Sequence, residues 1–537
     1  MQAWMHRDAH LCTSVTVLIS VLGLIRVSNT VGPPGFSLAS YYGDHMVLQR
    51  SPYQAVIWGY SPRLGDVVSL TIPDITHLSS TVVPGPGHLA GVWRFTLPMV
   101  ENPGPHNITI VSSSGTLSLH DILFGDVWVC SGQSNMVFRM EQINNSTLEI
   151  QAALKYDKIR VFMASKVQSF SALYDLHEVS TPWTKPTKES LRSFSAVCLF
   201  YAMNIRDSIH RPLGLVLAAW DGTAIETWSP PDALTSCGLR LHQYNDPKTG
   251  VSSLETEKKW FVPGAHTVLW NAMIHPLLNM TIYGVIWYQG ESNTRAEFYQ
   301  CGFRAMIQGW RRGFSRSHGK TSPEFPFGFV QLAPDRPSHV ISHFPGIRWQ
   351  QTHGYGYVPN PAMEAVFMAV AMDLPDFDSP HGSLHPRYKK DIGWRLSRSG
   401  LAMAYDQRDV LYQGPLPQRI GVTGDLLLSV IYTGEPLDIR QTTGFEVCCS
   451  PRPVSDRTCS DLDSSWLPAA IEGHRGSEFT LDITGCGKIP VTRVRYAWRE
   501  SPCQFKACAV YGRMSGLPGP PFMVPVPFEK VDCDDQL

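Results

Sequence analysis

The stretch Gly125–Met136, GDVWVCSGQSNM, is an apolar run that stops on a small, polar, glycine-containing cluster. Such a run suits a strand buried on both faces, as in a parallel sheet. The cluster, Ser131-Gly132-Gln133-Ser134-Asn135-Met136, leads into a possible helix, VFRMEQI. A serine there is either a plain turn residue or a hydroxyl held beside backbone N–H groups that can stabilise an anion. The downstream sequence decides between the two.

The pattern recurs through the middle of the chain. Apolar strands are predicted at DVWVC, IRVFMA, PLGLVLAAW, YGVIWYQ, PFGFVQLA and AVFMAVAM. Helical stretches lie between several of them, at FSAVCLFYAMNIRDSI, HTVLWNAMIHPLL and AEFYQCGFRAMIQGWRRGF, and PRYKKDIGWRLSRSGLAMAY follows the last. This alternation predicts an α/β fold, with a parallel sheet covered on both faces. Polar clusters follow four of the strands: SGQSNM, DGTAIETW (Asp221–Trp228), GESN (Gly290–Asn293) and DLPDFDSPHGSLHP (Asp373–Pro386). Open α/β sheets form their ligand crevice outside the carboxyl ends of their strands, so four clusters on one edge predict a site there.

On either side the pattern is different. Residues 36–120 read as short alternating strands (QAVIWGY, DVVSLTI, GVWRFTL, HNITIVSS, GTLSLHDI), material for a β-sandwich or barrel. Residues 411–537 return to short strands and turns, at LLLSVIYT, FEVCCS, SEFTLDIT and VTRVRYAW. The expected organisation is a signal peptide over about residues 1–30, an N-terminal β module at 36–120, a catalytic α/β domain at 121–410 and a Cys-rich β module at 411–537. The apolar segment LCTSVTVLISVLGLI, after Arg7, is too short and too Ser/Thr-spotted for a comfortable membrane span, and no later segment resembles one.

Composition narrows the class further. The 537 residues carry a formal charge of -1, without the basic excess of a nucleic-acid binder. Six of the 12 cysteines fall between Cys448 and Cys508 without a CxxC pair, which favours disulfides in an oxidising compartment over a zinc site. Sequons at Asn107, Asn144, Asn145 and Asn279 agree with a secretory route, ending in secretion or in the lysosome.

The chemistry that the four clusters support is acyl transfer. Ser134 is the candidate nucleophile and His385 the candidate base, because a serine hydroxyl needs a neighbouring base to attack a carbonyl. Oxyanion donors would be the Ser134 N–H, a backbone N–H of Asp221-Gly222 and the Asn293 amide. A zinc site built from His381, His385, Asp376 and Asp378 lacks any established ligand spacing, so no metal is expected.

Taken together, GDVWVCSGQSNM, IETWSP, VLWNAMIHPLLNMTIYGVIWYQGESN and SLHPRYKKDIGWRL resemble the sialate O-acetylesterases, within the SGNH hydrolase superfamily. YYGDHMVLQRSPYQAVIWGY near the start, with VRYAW and GLPGPPF near the end, extends the resemblance over essentially the whole mature chain. It implies a three-layer α/β/α SGNH-hydrolase-like domain with β-sandwich-like modules at both ends. It further implies hydrolysis of O-acetyl esters of sialic acids, notably at the 9-hydroxyl, through an acetyl-serine and without cofactor. The implied partner is an O-acetylated sialic acid or sialoglycoconjugate. Ser134, His385 and Asn293 match the family's nucleophile, base and oxyanion amide. Gln133 and Glu291 are candidate substrate contacts, Glu291 being alternatively a structural hydrogen-bonder. Arg348 and Gln351 stand where relatives show an Arg-x-x-Gln pattern near substrate, with a surface-helix role as the alternative.

Two departures from the family pattern stand out. Relatives usually show two glycines before the threonine of the second motif, where this chain has Asp221-Gly222-Thr223. Many relatives carry an Asp two residues before the histidine, where this chain has Ser383. Asp376 and Asp378 are the candidates for orienting His385, with orientation by a backbone carbonyl as the alternative. The departures keep a catalytically impaired glycan-binding homologue open, and the core motifs alone leave open an esterase for another acetylated carbohydrate.

Overall fold

The computed structural model describes residues 35–86, 91–240, 251–253, 263–337, 343–424, 426–451, 459–460 and 465–530. The signal-peptide expectation for residues 1–30 lies outside them.

The central sheet is built from β1 (Gly115–Gly132), β2 (Ile159–Ala164), β3 (Val179–Thr184), β4 (Leu213–Ala219), β5 (Gly284–Tyr288), β6 (Phe327–Gln331) and β7 (Val366–Val370). Their order is β3-β2-β4-β1-β5-β6-β7, parallel throughout except for β3, which runs antiparallel on the edge. Every residue of β4, β5, β6 and β7 is buried, as their near-continuous apolar runs require, with Gln331 at the end of β6 the one polar side chain among them. The helices that position the site are α1 (Ser134–Val137), α2 (Ala196–Ile209), α3 (Tyr299–His318), α4 (Phe344–Gln350) and α5 (Lys389–Ala404).

Two tryptophans show that helices cover both faces. Trp128 of β1, in register with Gly284 of β5, meets Tyr201 of α2 edge-on at 5.1 Å. Trp287, three residues beyond Gly284, points to the opposite face and meets Trp310 of α3 at 5.9 Å. That is the expected three-layer α/β/α arrangement.

Two helical expectations need correction. HTVLWNAMIHPLL is not an α-helix but a π turn at Trp270–Ile274 followed by a 3-10 turn at His275–Asn279. Pro276 supplies no N–H and clashes with the preceding turn of a regular helix. VFRMEQI is likewise broken: α1 starts at Ser134 and stops at Val137, and a separate 3-10 turn spans Met140–Gln142.

The N-terminal β module and the sheet share a strand. The first half of β1 pairs antiparallel with His106–Ser112, and its second half pairs parallel with β4 and β5. The expected boundary at 120/121 therefore falls inside one continuous strand. At the other end, antiparallel strands from Leu416 onward form three further sheets, of five, four and two strands. Three disulfides staple this module, Cys448–Cys459, Cys449–Cys486 and Cys503–Cys508; two more, Cys130–Cys198 and Cys237–Cys301, lie in the α/β part.

One hydrophobic core runs through all three regions. The C-terminal module is also hydrogen-bonded to the α/β part just beyond β7. There Tyr511 donates to Asp373 at 2.9 Å, and on α5 Asp391 pairs with Lys506 at 2.5 Å.

Candidate active site

Strand register sets the level of the site. Gly132 of β1 is paired with Ala219 of β4 and with Tyr288 of β5, so three of the polar clusters leave the sheet side by side. Gly132 has φ +135°, and a Cβ there would lie 2.2 Å from the Tyr288 carbonyl oxygen. Only glycine fits, which explains the Gly before Gln133-Ser134. Ser134 is then the first residue of α1, where no preceding helical turn offers its N–H an acceptor.

The Ser134 hydroxyl lies 2.8 Å from Nε2 of His385. The other ring nitrogen, Nδ1, is 2.9 Å from the carbonyl oxygen of His381. A carbonyl can only accept, so Nδ1 carries the proton and Nε2 presents its lone pair to the Ser134 O–H. Burial pushes the His385 pKa down, and Lys389 and His381 add to this, while the His381 carbonyl and Asp221 act against it. The ring is thus held neutral, as a general base requires.

The candidate acids are placed elsewhere. Asp376 is buried and receives the Arg387 N–H and both arms of its guanidinium at 2.7–2.9 Å. Burial alone would raise its pKa, but Arg387 outweighs that and lowers it. Asp378 is exposed. With His381 O on Nδ1 and Ser134 on Nε2, neither carboxylate bonds the ring; the alternative of a main-chain carbonyl is the arrangement present. Ser383 donates to Asp335 at 2.9 Å instead.

Asn293 joins the second and third motifs. Its Oδ1 accepts from the Ile225 N–H at 2.9 Å and from Gln289 Nε2 at 2.6 Å, which fixes the amide so that Nδ2 donates to Glu226 at 2.9 Å. One Nδ2 hydrogen remains beyond that bond. Gly222 sits in the adjoining turn at φ +71°. The departure at Asp221 is neutralised locally, because its carboxylate is ion-paired with Lys166 from the end of β2. Gln133 is buried, and its Oε1 accepts from the Ser292 N–H at 3.4 Å.

Arg348 and Gln351 correct the expectation of substrate contact. Arg348 is fully buried and donates to the carbonyls of Leu332, Arg499 and Glu500 at 2.8–2.9 Å, so it locks α4 to the C-terminal module. Burial lowers its pKa to about 9. The Gln351 amide is spent on the carbonyls of Gln289 and Val330 and on the Leu332 N–H. Asn279 is also interior, accepting from Arg94 at 2.6 Å, which leaves no room for a glycan; Asn107, Asn144 and Asn145 are exposed.

Three residues not singled out from the sequence belong to the site. Asn135 donates to Glu291 at 2.6 Å and to the Leu384 carbonyl at 2.9 Å. Lys389 is buried beneath the His385 loop, and Lys166 pairs with Asp221. Asn135 sits inside SGQSNM and is legible by position; Lys389 is half of a KK pair that gives no sign of burial.

Residues 124–389 match the family described as carbohydrate esterase, sialic acid-specific acetylesterase, and residues 422–526 match the sialate O-acetylesterase C-terminal domain. The sialate O-acetylesterase of Homo sapiens is 40% identical over 522 residues, 94% of this chain and 96% of that one. The chain belongs to the sialate O-acetylesterase family. Its Mus musculus relative is 39% identical over 539 residues, 95% of this chain and 97% of the other. Among solved structures, a carbohydrate acetylesterase from Xanthomonas citri matches with a TM-score of 0.73 and 25% identity, over 91% of this chain and 100% of that one. The first three motifs and His385 all fall within residues 124–389.

Proposed function

We propose that the protein is a serine esterase that hydrolyses O-acetyl esters of sialic acids, notably at the 9-hydroxyl, to free sialate and acetate. The observation that carries this reading is the 2.8 Å contact between Ser134 Oγ and the unprotonated Nε2 of His385. Near-full-length similarity to sialate O-acetylesterases supports the substrate class. His385 accepts the Ser134 proton as Oγ attacks the acetyl carbonyl carbon. The Ser134 N–H, the Gly222 N–H and the second hydrogen of Asn293 Nδ2 receive the oxyanion, each such donor being worth about 3–4 kcal/mol. The tetrahedral species collapses, and the sialate hydroxyl leaves with the proton from His385. Water then attacks the acetyl-enzyme, His385 again takes the proton, and acetate departs.

A catalytically impaired glycan binder is the poorer reading, because nucleophile and base are in contact and Asp221 is paired with Lys166. The five disulfides among the described residues support passage through an oxidising compartment, with secretion or lysosomal residence as the destination. Among the described residues no helix is long and apolar enough to cross a membrane. The test is acetate release from a panel of acetylated sugars: the 9-O-acetyl sialate should be turned over fastest, and preference for a neutral acetylated sugar would overturn the substrate assignment.

A further inference from the structure

The loop that carries His385 is fastened at three successive carbonyls. Asn135 Nδ2 donates to Leu384 O at 2.9 Å, Ser379 Oγ to His385 O at 2.8 Å, and Lys389 Nζ to Pro386 O at 2.6 Å. The first and third of these donors belong to one hydrogen-bonded chain. Lys389 Nζ also donates to Asn135 Oδ1 at 2.7 Å, and Asn135 Nδ2 also donates to Glu291 Oε1 at 2.6 Å. Asn135 directly follows the nucleophile, and Glu291 belongs to the third motif. The chain therefore ties the turn bearing Ser134 to the carbonyls on both sides of the base.

The surroundings make this an expensive arrangement to keep. Lys389 and Asn135 are buried, and the Lys389 ammonium lies 4.4 Å from the Phe138 ring centre and 5.6 Å from that of Tyr288. The Phe138 ring is in turn stacked at 6.4 Å on the His385 imidazole. An amine taken out of water is costly unless its hydrogens find acceptors, and here both named acceptors belong to the positioning of one loop. A methionine would fill the same aromatic box with no polar group to satisfy.

We infer that Lys389 and Glu291, coupled through Asn135, are positioning residues that hold His385 in line with Ser134, a task that an acid bonded to the histidine would otherwise perform. This rests on reading Ser134 and His385 as nucleophile and base. Glu291 anchors the far end: it fixes the Asn135 amide so that Oδ1 faces Lys389 and Nδ2 faces Leu384.

The test compares the full-length protein with Lys389→Met, Glu291→Leu and Glu291→Gln, using 4-nitrophenyl acetate as a substrate that needs no sugar recognition. A fluorophosphonate probe reports the reactivity of Ser134 independently, and thermal unfolding reports folding. Lys389→Met and Glu291→Leu should lower kcat about 30-fold with KM held within about threefold, since small misplacement of a catalytic group costs up to about a hundredfold. Probe labelling should slow by a similar factor. Glu291→Gln keeps an acceptor for Asn135 and should stay within about threefold of the parent. Equal kcat and labelling in all four proteins would overturn the inference, as would a Glu291→Gln loss matching that of Glu291→Leu. If Lys389→Met fails to fold, the Glu291 pair decides. A parent protein that the probe does not label overturns the nucleophile reading itself.

Discussion

Nδ1 of His385 donates to the main-chain carbonyl of His381, four residues earlier, at 2.9 Å. That bond sets the tautomer that leaves Nε2 free to accept the Ser134 proton. A carbonyl is a weaker partner for an imidazolium than a carboxylate, but it cannot be titrated.

Asp376 consequently belongs to the loop's architecture and not to the base. Asp376→Asn should keep kcat within about fivefold and cost about 2 kcal/mol of stability, through loss of charge-assisted bonds to Arg387. Asp378→Asn should change neither. Steady-state kinetics with thermal unfolding checks both; a loss of about a thousandfold in either would make that acid part of the catalytic unit.

The pH profile follows from the environment of His385. Burial first, then Lys389 and His381, lower its pKa below the ordinary 6.5. Activity needs the neutral ring, so kcat/KM should fall on the acid side with a midpoint below 6.5. The sign for stability agrees: below 6.5 the unfolded chain binds this proton more readily, so stability falls as pH falls through that window. An acid limb centred above 6.5 would contradict this account.

Lys166 and Asp221 should behave as a unit. Removing only the cation in Lys166→Met leaves a carboxylate beside the oxyanion donors and should lower kcat about tenfold, equivalent to about 1.4 kcal/mol. Adding Asp221→Gly should restore most of it. A double-mutant cycle with strictly additive losses would show that the pair is not coupled.

Arg348→Met should lower stability by about 3 kcal/mol, because the carbonyls of Leu332, Arg499 and Glu500 lose their donors in a dry interface. KM of the remaining folded protein should be unchanged. A raised KM at unchanged melting temperature would return Arg348 to the substrate site.

The sequence showed the sheet clearly because β4 to β7 are apolar except for Gln331 at the end of β6, and the four strand-end clusters marked the edge where the site lies. Ser134, Asn293 and His385 could be read because each lies in a polar cluster that follows a strand of the sheet. What stayed hidden depends on distance in three dimensions. Whether Arg348 faced substrate or the module at Arg499 was not written in GIRWQQT, and SPHGSLHP does not announce that His381 contributes its carbonyl and not its ring. Lys389 was missed because burial of one lysine in a KK pair depends on where α5 starts relative to Phe138 and Tyr288. HTVLWNAMIHPLL has helical apolar periodicity, but Pro276 divides it into π and 3-10 turns.

The most direct test of the central claim is acetate release from 9-O-acetylated sialic acid by the parent protein and Ser134→Ala, side by side. The account predicts turnover by the parent and a loss of at least about a thousandfold in the variant, with melting temperature unchanged. Comparable turnover by both proteins would contradict the assignment of Ser134 as nucleophile.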